Sequence, residues 1–322
     1  KLSLLTEDRQ AQTVLVKSIA FEIVRKSKML FWLSSGADPL AIYNGGFMTV
    51  QTQPAMSAEH MRAKYGPWAV IAGASEGTGA EYARQLAAVG IHCLLAARRA
   101  EPLEKIAREL TGKYKVQARV LSVDLSAPDA AQRMQEAAAD VEVGLYVSNA
   151  GADSTGKHFL DMPLEHSHRL INMNVSTVVD AVHAFAPLMK ARGRGGIVLM
   201  TSGAALGGQP RLAMYSGTKA FELNFGESLW IELRKFGVDV LSVAAPAMDT
   251  PVLREALAAR NLKPQGVYDP KDVVQIALRY LPAGPSYVFP LGPHQDADTL
   301  NEERRSRLLA VAEITKAFFG AD

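Results

Sequence analysis

A tyrosine and a lysine four residues apart could carry out acid–base chemistry. In the segment Tyr215-Ser-Gly-Thr-Lys219 the two side chains share one face if the segment is helical, because residues four apart are neighbours on a helix. A phenol is a slow proton donor at neutral pH, and an adjacent ammonium stabilises its phenolate. Ser202, at the end of an apolar segment, could hydrogen-bond the same substrate oxygen. The pair alone is weak evidence, since Lys is a common residue and an ordinary surface pair is the alternative.

A glycine-rich turn follows the apolar segment 68–72. Gly73, Gly77 and Gly79 would allow a tight turn, a close approach of the backbone to a pyrophosphate, and close packing of a helix on a strand. The free N–H groups at the start of that helix would meet the negative charge of the phosphates. The spacing Gly-x-x-x-Gly-x-Gly differs from the commoner dinucleotide fingerprint, so a turn without a nucleotide is the alternative.

Two cations follow the next apolar segment. A carboxylate at this position would bind the adenosine ribose and repel a 2′-phosphate, whereas Ala97, Arg98 and Arg99 supply no acid and two fixed positive charges. This favours NADP(H) over NAD as the cofactor. A solvated basic turn is the alternative if the glycine turn binds no nucleotide.

Together these motifs resemble those of the short-chain dehydrogenases/reductases, in the ordinary, non-extended branch of that family. They occur in the family's order and spacing across residues 66 to about 251. The resemblance implies a catalytic tetrad of Asn174, Ser202, Tyr215 and Lys219. We expect no metal, because His166 and His168 have no third ligand at a suitable spacing and are better explained as a solvated helix start. The residues that the motifs and the resemblance assign to the cofactor are Gly73, Ser75, Glu76, Gly77, Thr78, Gly79, Arg98, Arg99, Asp124, Leu125, Asn149, Ala150, Gly151, Tyr215, Lys219, Pro246, Met248 and Thr250.

The resemblance also implies a reaction, which is hydride transfer between the nicotinamide C4 and a carbonyl or secondary alcohol carbon. Tyr215 would give a proton to the developing alkoxide, and Ser202 would hydrogen-bond that oxygen. Lys219 would stabilise the phenolate and hold the nicotinamide ribose, and Asn174 would support a water that links Lys219 to solvent. Reduction is the favoured direction, because NADPH is abundant in most cells and NADP⁺ is scarce.

Three further segments resemble a branch of the family that contains 17β-hydroxysteroid dehydrogenases and long-chain 3-ketoacyl reductases. They are Lys64-Tyr-Gly-Pro-Trp-Ala69, Lys113-Tyr-Lys-Val-Gln117 and Val141-Glu-Val-Gly-Leu145. The chain departs from the family's usual residues at Ala72, Ser148 and Ala247, and Glu76 stands where many members that prefer NADP carry a basic residue. These departures affect the predicted affinity for the cofactor more than the predicted proton transfer.

Short apolar segments alternate with segments of helical periodicity, which is typical of a parallel sheet covered by helices. The predicted class is therefore α/β: one Rossmann-type doubly wound domain with a seven-stranded parallel sheet, helices on both faces, and an N-terminal helical extension. The predicted strands are 68–72, 91–97, 117–123, 143–148, 196–201, 238–244 and 286–290. The predicted helices are 79–89, 100–112, 127–138, 163–191, 213–236 and 271–280.

The same pattern predicts three regions along the chain. Residues 1–61 form a partly helical extension, residues 62–292 form the NADP-binding catalytic domain with a substrate loop at 246–270, and residues 293–322 form an amphipathic C-terminal helix. That last helix could cover the pocket, bind a partner chain, or simply pack on the edge of the domain.

The N-terminal helix predicted at 11–33 mixes basic and aromatic side chains. Such a helix could lie on an anionic membrane surface as a peripheral contact, and packing on its own domain or on a partner's is the alternative. We expect no membrane-spanning helix, since no window reaches about 18 uninterrupted apolar residues.

Composition limits the class of partner. With 48% hydrophobic and 21% charged residues the chain is an ordinary globular protein, which excludes collagen, a disordered tail and a disulfide scaffold. A net charge of +2 disfavours nucleic acid, and the single Cys93 favours a reducing, cytoplasmic compartment. By the family resemblance, the long helices 163–191 and 213–236 would form a homodimer or homotetramer.

The residues expected to line the substrate pocket are mostly apolar, which favours a hydrophobic ketone or secondary alcohol of the aryl, steroid or acyl class. A non-catalytic NADP-binding sensor or scaffold is the alternative function, but it predicts damage to a tetrad whose side chains are intact. The expected wall residues are Leu206, Pro210, Leu212, Met214, Met248, Val252, Leu253 and Leu257.

Overall fold

The structure is a computed structural model that describes residues 56–152, 155–263, 266–290 and 295–319. The predictions for residues 1–55, including the helix at 11–33 and its membrane contact, fall outside the described residues. In the described parts of the chain no helix is both long enough and apolar enough to cross a membrane.

The strands lie close to the apolar segments of the sequence. They are β1 (Trp68–Ala72), β2 (His92–Ala97), β3 (Ala118–Ser122), β4 (Val143–Ser148), β5 (Gly195–Met200), β6 (Val238–Ala244) and β7 (Ser286–Val288). The helices are α1 (Ala58–Tyr65), α2 (Gly77–Ala88), α3 (Ala100–Tyr114), α4 (Ala130–Ala137), α5 (Leu164–Ile171), α6 (Thr177–Arg192), α7 (Ala213–Leu233), α8 (Pro251–Ala258), α9 (Pro270–Tyr280) and α10 (Ala297–Phe319).

The described residues form one parallel sheet of seven strands in the order β3-β2-β1-β4-β5-β6-β7. Every residue of β1, β4 and β5 is buried, as expected for a parallel sheet covered on both faces. The chain leaves β1 towards β2 on one side and returns through β4 on the other. Ligands of such sheets bind outside the carboxyl ends of the strands at this point of reversal. The predicted doubly wound α/β fold is confirmed.

Two apolar layers hold the helices on the sheet. One contains side chains such as Leu86 of α2, Leu103 of α3 and Val273 of α9, and the other contains Phe185 of α6 and Trp230 of α7. These residues are buried to 4% exposure or less, so each layer fixes its helices against the strands. The two layers make the carboxyl edge of the sheet a rigid base for a site.

The long helix predicted at 163–191 is interrupted. A π-helical turn at Asn172–Ser176 separates α5 from α6. A π turn widens the helix by one residue and commonly occurs at functional sites. Here it contains Asn174, whose side chain is fully buried and whose Nδ2 lies 3.0 Å from Thr218 Oγ1 of α7. The interruption therefore places an amide beside the helix that carries the Tyr–Lys pair.

Helix α1 was not among the predicted helices, and it closes the amino end of the sheet. Its N-terminus is capped by Ser57, whose hydroxyl accepts a hydrogen bond from the N–H of His60. At its other end the Tyr65 hydroxyl donates to Asp239 at 2.7 Å, and Lys64 lies 3.4 Å from the same carboxylate. Burial raises the pKa of Asp239, and the two donors oppose that rise. The helix is thus anchored to β6 by a partly buried cluster.

We expect Tyr65→Phe to lower the free energy of unfolding by about 1–3 kcal/mol, because the partly buried Asp239 carboxylate loses a hydrogen-bond donor. Urea unfolding followed by tryptophan fluorescence measures the change. Tyr114→Phe, which alters a partly exposed tyrosine at the end of α3, serves as the matched control and should change the midpoint little. Equal midpoints for Tyr65→Phe and the wild type would show that the cluster contributes nothing to stability.

Candidate active site

The predicted site residues follow the carboxyl ends of consecutive strands. Gly73 follows β1, Arg98 follows β2, Asp124 follows β3, Asn149 follows β4 and Ser202 follows β5. Because the strands are parallel, these ends meet at one edge of the sheet. Topology alone therefore brings most of the predicted residues to a common cleft.

The glycine turn leaves room for a ligand at the start of α2. Gly73 has φ +90° and Gly77 has φ +54°, which are conformations that favour glycine. A Cβ at Gly73 would lie 2.6 Å from the backbone nitrogen of Ala150, so a side chain is excluded there. Glu76, at the N-cap of α2, makes no side-chain cap hydrogen bond. The first N–H groups of this helix are therefore suited to a pyrophosphate.

The end of β4 is tied to this turn. The backbone N–H groups of Asn149 and Ala150 both donate to the Ala72 carbonyl, and Asn149 Nδ2 donates to the Gly73 carbonyl at 3.0 Å. Gly151 has φ +124°, and a Cβ there would meet Asn174. The glycine turn, the β4 end and Asn174 therefore form one continuous wall of the cleft.

Charged groups lie where the adenosine end of a dinucleotide is expected. Arg99 Nη2 is 2.8 Å from Glu76 Oε2, and both side chains are partly exposed. Asp124 follows β3, and burial alone would raise its pKa. The two Ser126 donors, and then the Arg169 and Arg98 charges, lower that pKa below its usual value. The predicted basic pair Arg98 and Arg99 therefore lies beside acidic groups, and the negative charge of Glu76 partly neutralises the positive charge of Arg99.

The segment after β6 closes the other side of the glycine turn. Thr78 Oγ1 donates to Met248 Sδ at 3.3 Å, and a Cβ at Gly77 would lie 3.0 Å from Thr250 Cγ2. Thr250 also caps α8, since its hydroxyl accepts from the N–H of Leu253. Pro246 is buried at the start of this segment. The predicted residues Met248 and Thr250 are therefore next to the predicted pyrophosphate turn, and Pro246 precedes them in the same segment.

The Tyr–Lys pair lies on α7, as predicted. Thr218 of the same helix bonds both the Tyr215 carbonyl and Asn174 Nδ2, each at 3.0 Å. Lys219 is buried and donates to the Met200 carbonyl at the end of β5 at 2.8 Å. The hydroxyl of Ser202 accepts from the N–H of Ala204 at 3.1 Å, a bond in which its own O–H can still donate. The structure thus joins Asn174 to the turn of Tyr215, and Lys219 to the strand that precedes Ser202.

A buried acid that the sequence analysis did not assign faces Lys219. Both carboxylate oxygens of Glu222 lie 2.9 Å from Lys219 Nζ, and the two side chains are 0% and 3% exposed. Burial raises the pKa of Glu222 to about 7, and the Lys219 charge and hydrogen bond oppose that rise. Tyr215, Lys219 and Glu222 are spaced by four and three residues, which puts them on one helical face. That spacing is the sequence signal by which Glu222 could have been found.

The side-chain oxygen of Asn174 can accept a hydrogen bond. Its Nδ2 is used by Thr218 and, at 3.4 Å, by the Gly151 carbonyl. Within the described part of the chain, no donor bonds its buried Oδ1. A buried amide oxygen of this kind commonly bonds ordered water. The side chain is therefore suited to the water-holding role that the family resemblance implies.

The predicted substrate wall is spread over three elements. Leu206 precedes α7 and is 40% exposed, Leu212 and Met214 are partly buried at the start of α7, and Val252 and Leu257 are partly buried on α8. The predicted loop 246–270 contains α8 and is held by a bridge between Met248 and Tyr268. Across the described ranges no group of three or more His, Cys, Asp or Glu could hold a metal ion.

Comparison with known proteins agrees with these features. The model of the short chain dehydrogenase family matches residues 67–261. A very-long-chain 3-oxoacyl-CoA reductase of Laccaria bicolor is 34% identical over 234 residues, which cover 70% of this chain and 69% of that protein. A 7beta-hydroxysteroid dehydrogenase of Mediterraneibacter gnavus is 30% identical over 227 residues, which cover 69% and 85% of the two chains.

A solved structure is similar over most of its length. The short-chain dehydrogenase from Sphingobium yanoikuyae in complex with NADPH has a TM-score of 0.66 and 28% sequence identity. The match covers 75% of this chain and 94% of that chain. The sequence, the sheet order and the arrangement of the cleft therefore lead to one family.

Proposed function

The chain belongs to the short-chain dehydrogenase/reductase family of oxidoreductases, and on this premise we propose that it is NADP(H)-dependent and acts on a hydrophobic ketone or secondary alcohol. The observation that supports the proposal best is the face of α7. Tyr215 and Lys219 lie one turn apart on it, and Thr218 links it to Asn174. In this proposal the three side chains serve as a proton donor, a cation and a water-binding amide.

The residues of the cleft fit a nicotinamide dinucleotide, which supplies or accepts the hydride when it is bound. In this proposal the N–H groups at the start of α2 bind the pyrophosphate, and Asp124 with Leu125 borders the adenine. Pro246, Met248 and Thr250 hold the carboxamide end. The uncapped start of α2, and the glycines at which a Cβ would meet the backbone, support this assignment.

In the reducing direction the Tyr215 hydroxyl donates its proton to the substrate oxygen, and the Ser202 hydroxyl donates a hydrogen bond to the same atom. Lys219 stabilises the phenolate left on Tyr215 and binds the nicotinamide ribose. Asn174 holds a water through its Oδ1 and so connects Lys219 with solvent. Each role suits the chemistry of its side chain, and proton transfer by a positioned side chain contributes about 10²–10⁴-fold to rate.

The proposed substrate is a bulky hydrophobic ketone of the aryl, steroid or acyl class. The wall residues on α7 and α8 are mainly apolar, and they supply few polar groups to a substrate. Two relatives support this range by their names, which refer to a very-long-chain 3-oxoacyl-CoA and to a 7β-hydroxysteroid. The test is a screen of NADPH oxidation against steroid, aryl and 3-oxoacyl ketones, and a complete lack of turnover would contradict the proposal.

The remaining predictions about partners are also proposals. We propose a homodimer or homotetramer formed through α5–α6 and α7. Val179 and Leu188 of α6 are 36% and 51% exposed, so that helix presents apolar side chains. We keep a cytoplasmic location, at most peripheral to a membrane, as the expected setting. Light scattering at several protein concentrations tests the oligomer.

The preference for NADP(H) depends on Arg98, Arg99 and the Glu76 carboxylate that lies 2.8 Å from Arg99. We expect Glu76→Gln to tighten NADPH binding about threefold, because Arg99 is then free of its ion pair with Glu76 and can bind a 2′-phosphate. The effect is small because an exposed ion pair is weak. NADH binding should gain less, because NADH shares the pyrophosphate near Glu76 and lacks the 2′-phosphate. Fluorescence titration with both cofactors measures the two dissociation constants.

Glu104→Gln is the control for that experiment, since Glu104 is an exposed acid of α3 that lies 3.7 Å from Arg108. It removes the same charge away from the glycine turn. An equal gain for NADPH and NADH in Glu76→Gln, or the same gain in Glu104→Gln, would contradict the predicted 2′-phosphate site.

A further inference from the structure

The Lys219 ammonium is fully engaged by acceptors from its own chain. An ammonium has three N–H donors, and three oxygens lie within hydrogen-bond distance of Nζ. The Met200 carbonyl is at 2.8 Å and the two Glu222 carboxylate oxygens are at 2.9 Å. Both side chains are almost completely buried. Lys219 and an ionised Glu222 together form a neutral, buried pair.

This arrangement conflicts with the role proposed for Lys219. To bind the nicotinamide ribose, Lys219 must turn at least one N–H away from its present acceptors. To stabilise a phenolate on Tyr215, its positive charge must not be cancelled by a carboxylate 2.9 Å away. The hydrogen bonds to Glu222 are therefore the ones that must weaken, because the Met200 carbonyl carries no net charge.

At this position a carboxylate that loses its contact with Lys219 stays ionised only at a high cost in free energy. Glu222 is 0% exposed, and burying an unpaired charge is strongly unfavourable, so such groups take up a proton instead. Burial already raises the pKa of Glu222 to about 7 with Lys219 in place. The buried acid therefore takes up a proton more readily than an exposed glutamate does, even before any ligand binds.

The surroundings of Glu222 leave the control of its charge to Lys219. In the described part of the molecule, Glu222 interacts electrostatically with two titratable groups, which are Lys219 of its own helix and Tyr146 of β4. Burial raises the pKa of Tyr146, which keeps that phenol neutral. On β6 the Ser242 hydroxyl donates its hydrogen bond to the main-chain carbonyl of Glu222, not to the carboxylate. From β5 the pair meets the Met200 carbonyl.

Resting on the function proposed above, we propose that Glu222 is a positioning residue that carries a proton. Ionised, it holds Lys219 against the end of β5. It takes up one proton from solvent when Lys219 turns an N–H towards a bound dinucleotide, and it returns that proton when the lysine comes back. Glu222 thereby makes the availability of Lys219 depend on pH.

Binding and protonation are linked reciprocally, so the sign of the effect follows. As the pH falls, protonation of Glu222 weakens its hold on Lys219, whereas at higher pH the ionised acid competes with the cofactor for Lys219. We expect wild-type NADPH affinity to fall about fivefold between pH 6 and 8.5, relative to Glu222→Gln, which keeps the shape and cannot ionise.

Proton uptake on cofactor binding tests the proposal without any turnover. NADPH is titrated into the full chain by calorimetry at pH 7 in two buffers of different ionisation enthalpy, which gives the number of protons taken up. We expect net uptake in the wild type to exceed that in Glu222→Gln. Glu227→Gln is the matched control, because Glu227 is a buried acid of the same helix that bonds Ser286 and Arg304 instead of Lys219. It should behave as the wild type does.

Equal uptake in Glu222→Gln and the wild type would overturn the proposal, and so would equal losses in the Glu222 and Glu227 variants. If Glu222→Gln fails to fold by circular dichroism, Glu222→Asp decides. Shortening the side chain changes the distance to Nζ, so the pH at which uptake is half-maximal must move, and an unchanged value overturns the proposal. Failure of the proposed function looks different: NADPH then does not bind the wild type, or no ketone is reduced.

Discussion

Tyr215→Phe is expected to lower kcat for ketone reduction by about a thousandfold, while the dissociation constant of NADPH changes by less than about twofold. The substitution removes one hydroxyl and keeps the ring, which is only partly buried at the start of α7. Lys219, Asn174 and Thr218 keep their contacts, because the bond from Thr218 reaches the main-chain carbonyl of Tyr215. The loss should therefore fall on proton transfer rather than on binding.

Steady-state NADPH oxidation with a ketone found in the screen measures kcat, and fluorescence titration measures the cofactor affinity. Tyr114→Phe removes the same hydroxyl from a residue at the end of α3 and should retain full activity. If Tyr215→Phe keeps more than about a tenth of the wild-type kcat, Tyr215 is not the proton donor. A joint loss of NADPH binding would indicate a structural role instead.

The sequence predicted the strands and the glycine turn well, because their physical causes are local. A strand buried on both faces must be apolar along its length, as β1 and β4 are. A turn with φ +90° at Gly73 and no room for a Cβ requires glycine. The family membership that these motifs implied is confirmed by the match over residues 67–261. The roles assigned to the individual tetrad residues stay predictions.

What the sequence did not reveal depends on contacts between distant segments. The π turn around Asn174 adds one residue to a helical turn. The spacing of apolar residues in the sequence predicts only a continuous helix there, so it did not reveal the turn. Glu222 was overlooked because a glutamate in a helix is nearly always exposed, and a buried carboxylate stays ionised only beside a cation such as Lys219. Helix α1 is short and polar, and its anchor Asp239 lies far along the chain.

Because Lys219 and Glu222 form a buried pair, we expect Lys219→Met to lower both the stability and the activity of the protein strongly. Breaking a buried ion pair from one side typically costs about 3–5 kcal/mol, since the other charge is left without compensation. Activity should fall at least about a hundredfold, because the cation beside Tyr215 is gone. Chemical denaturation at several pH values separates this loss of stability from the loss of activity.

The pH dependence has a definite sign. Glu222 has a folded pKa of about 7, above the usual 4.5, so the folded state binds the proton more tightly than the unfolded chain does. Its contribution to stability is fully present below about pH 4.5 and is lost as the pH rises through about 7. Without Lys219 the carboxyl resists ionisation further, so the loss extends to higher pH. The deficit of Lys219→Met should thus be small at pH 6 and largest at pH 8.5.

Replacing Glu222 together with Lys219 should restore stability, whereas the activity should stay low. In the double variant Lys219→Met with Glu222→Gln no buried charge lacks a partner, so its unfolding free energy should exceed that of Lys219→Met at pH 8.5. Turnover should stay low in both, since neither variant carries a cation beside Tyr215. If the double variant is no more stable than Lys219→Met at pH 8.5, the two side chains do not form the coupled pair on which the pH dependence of the cleft rests.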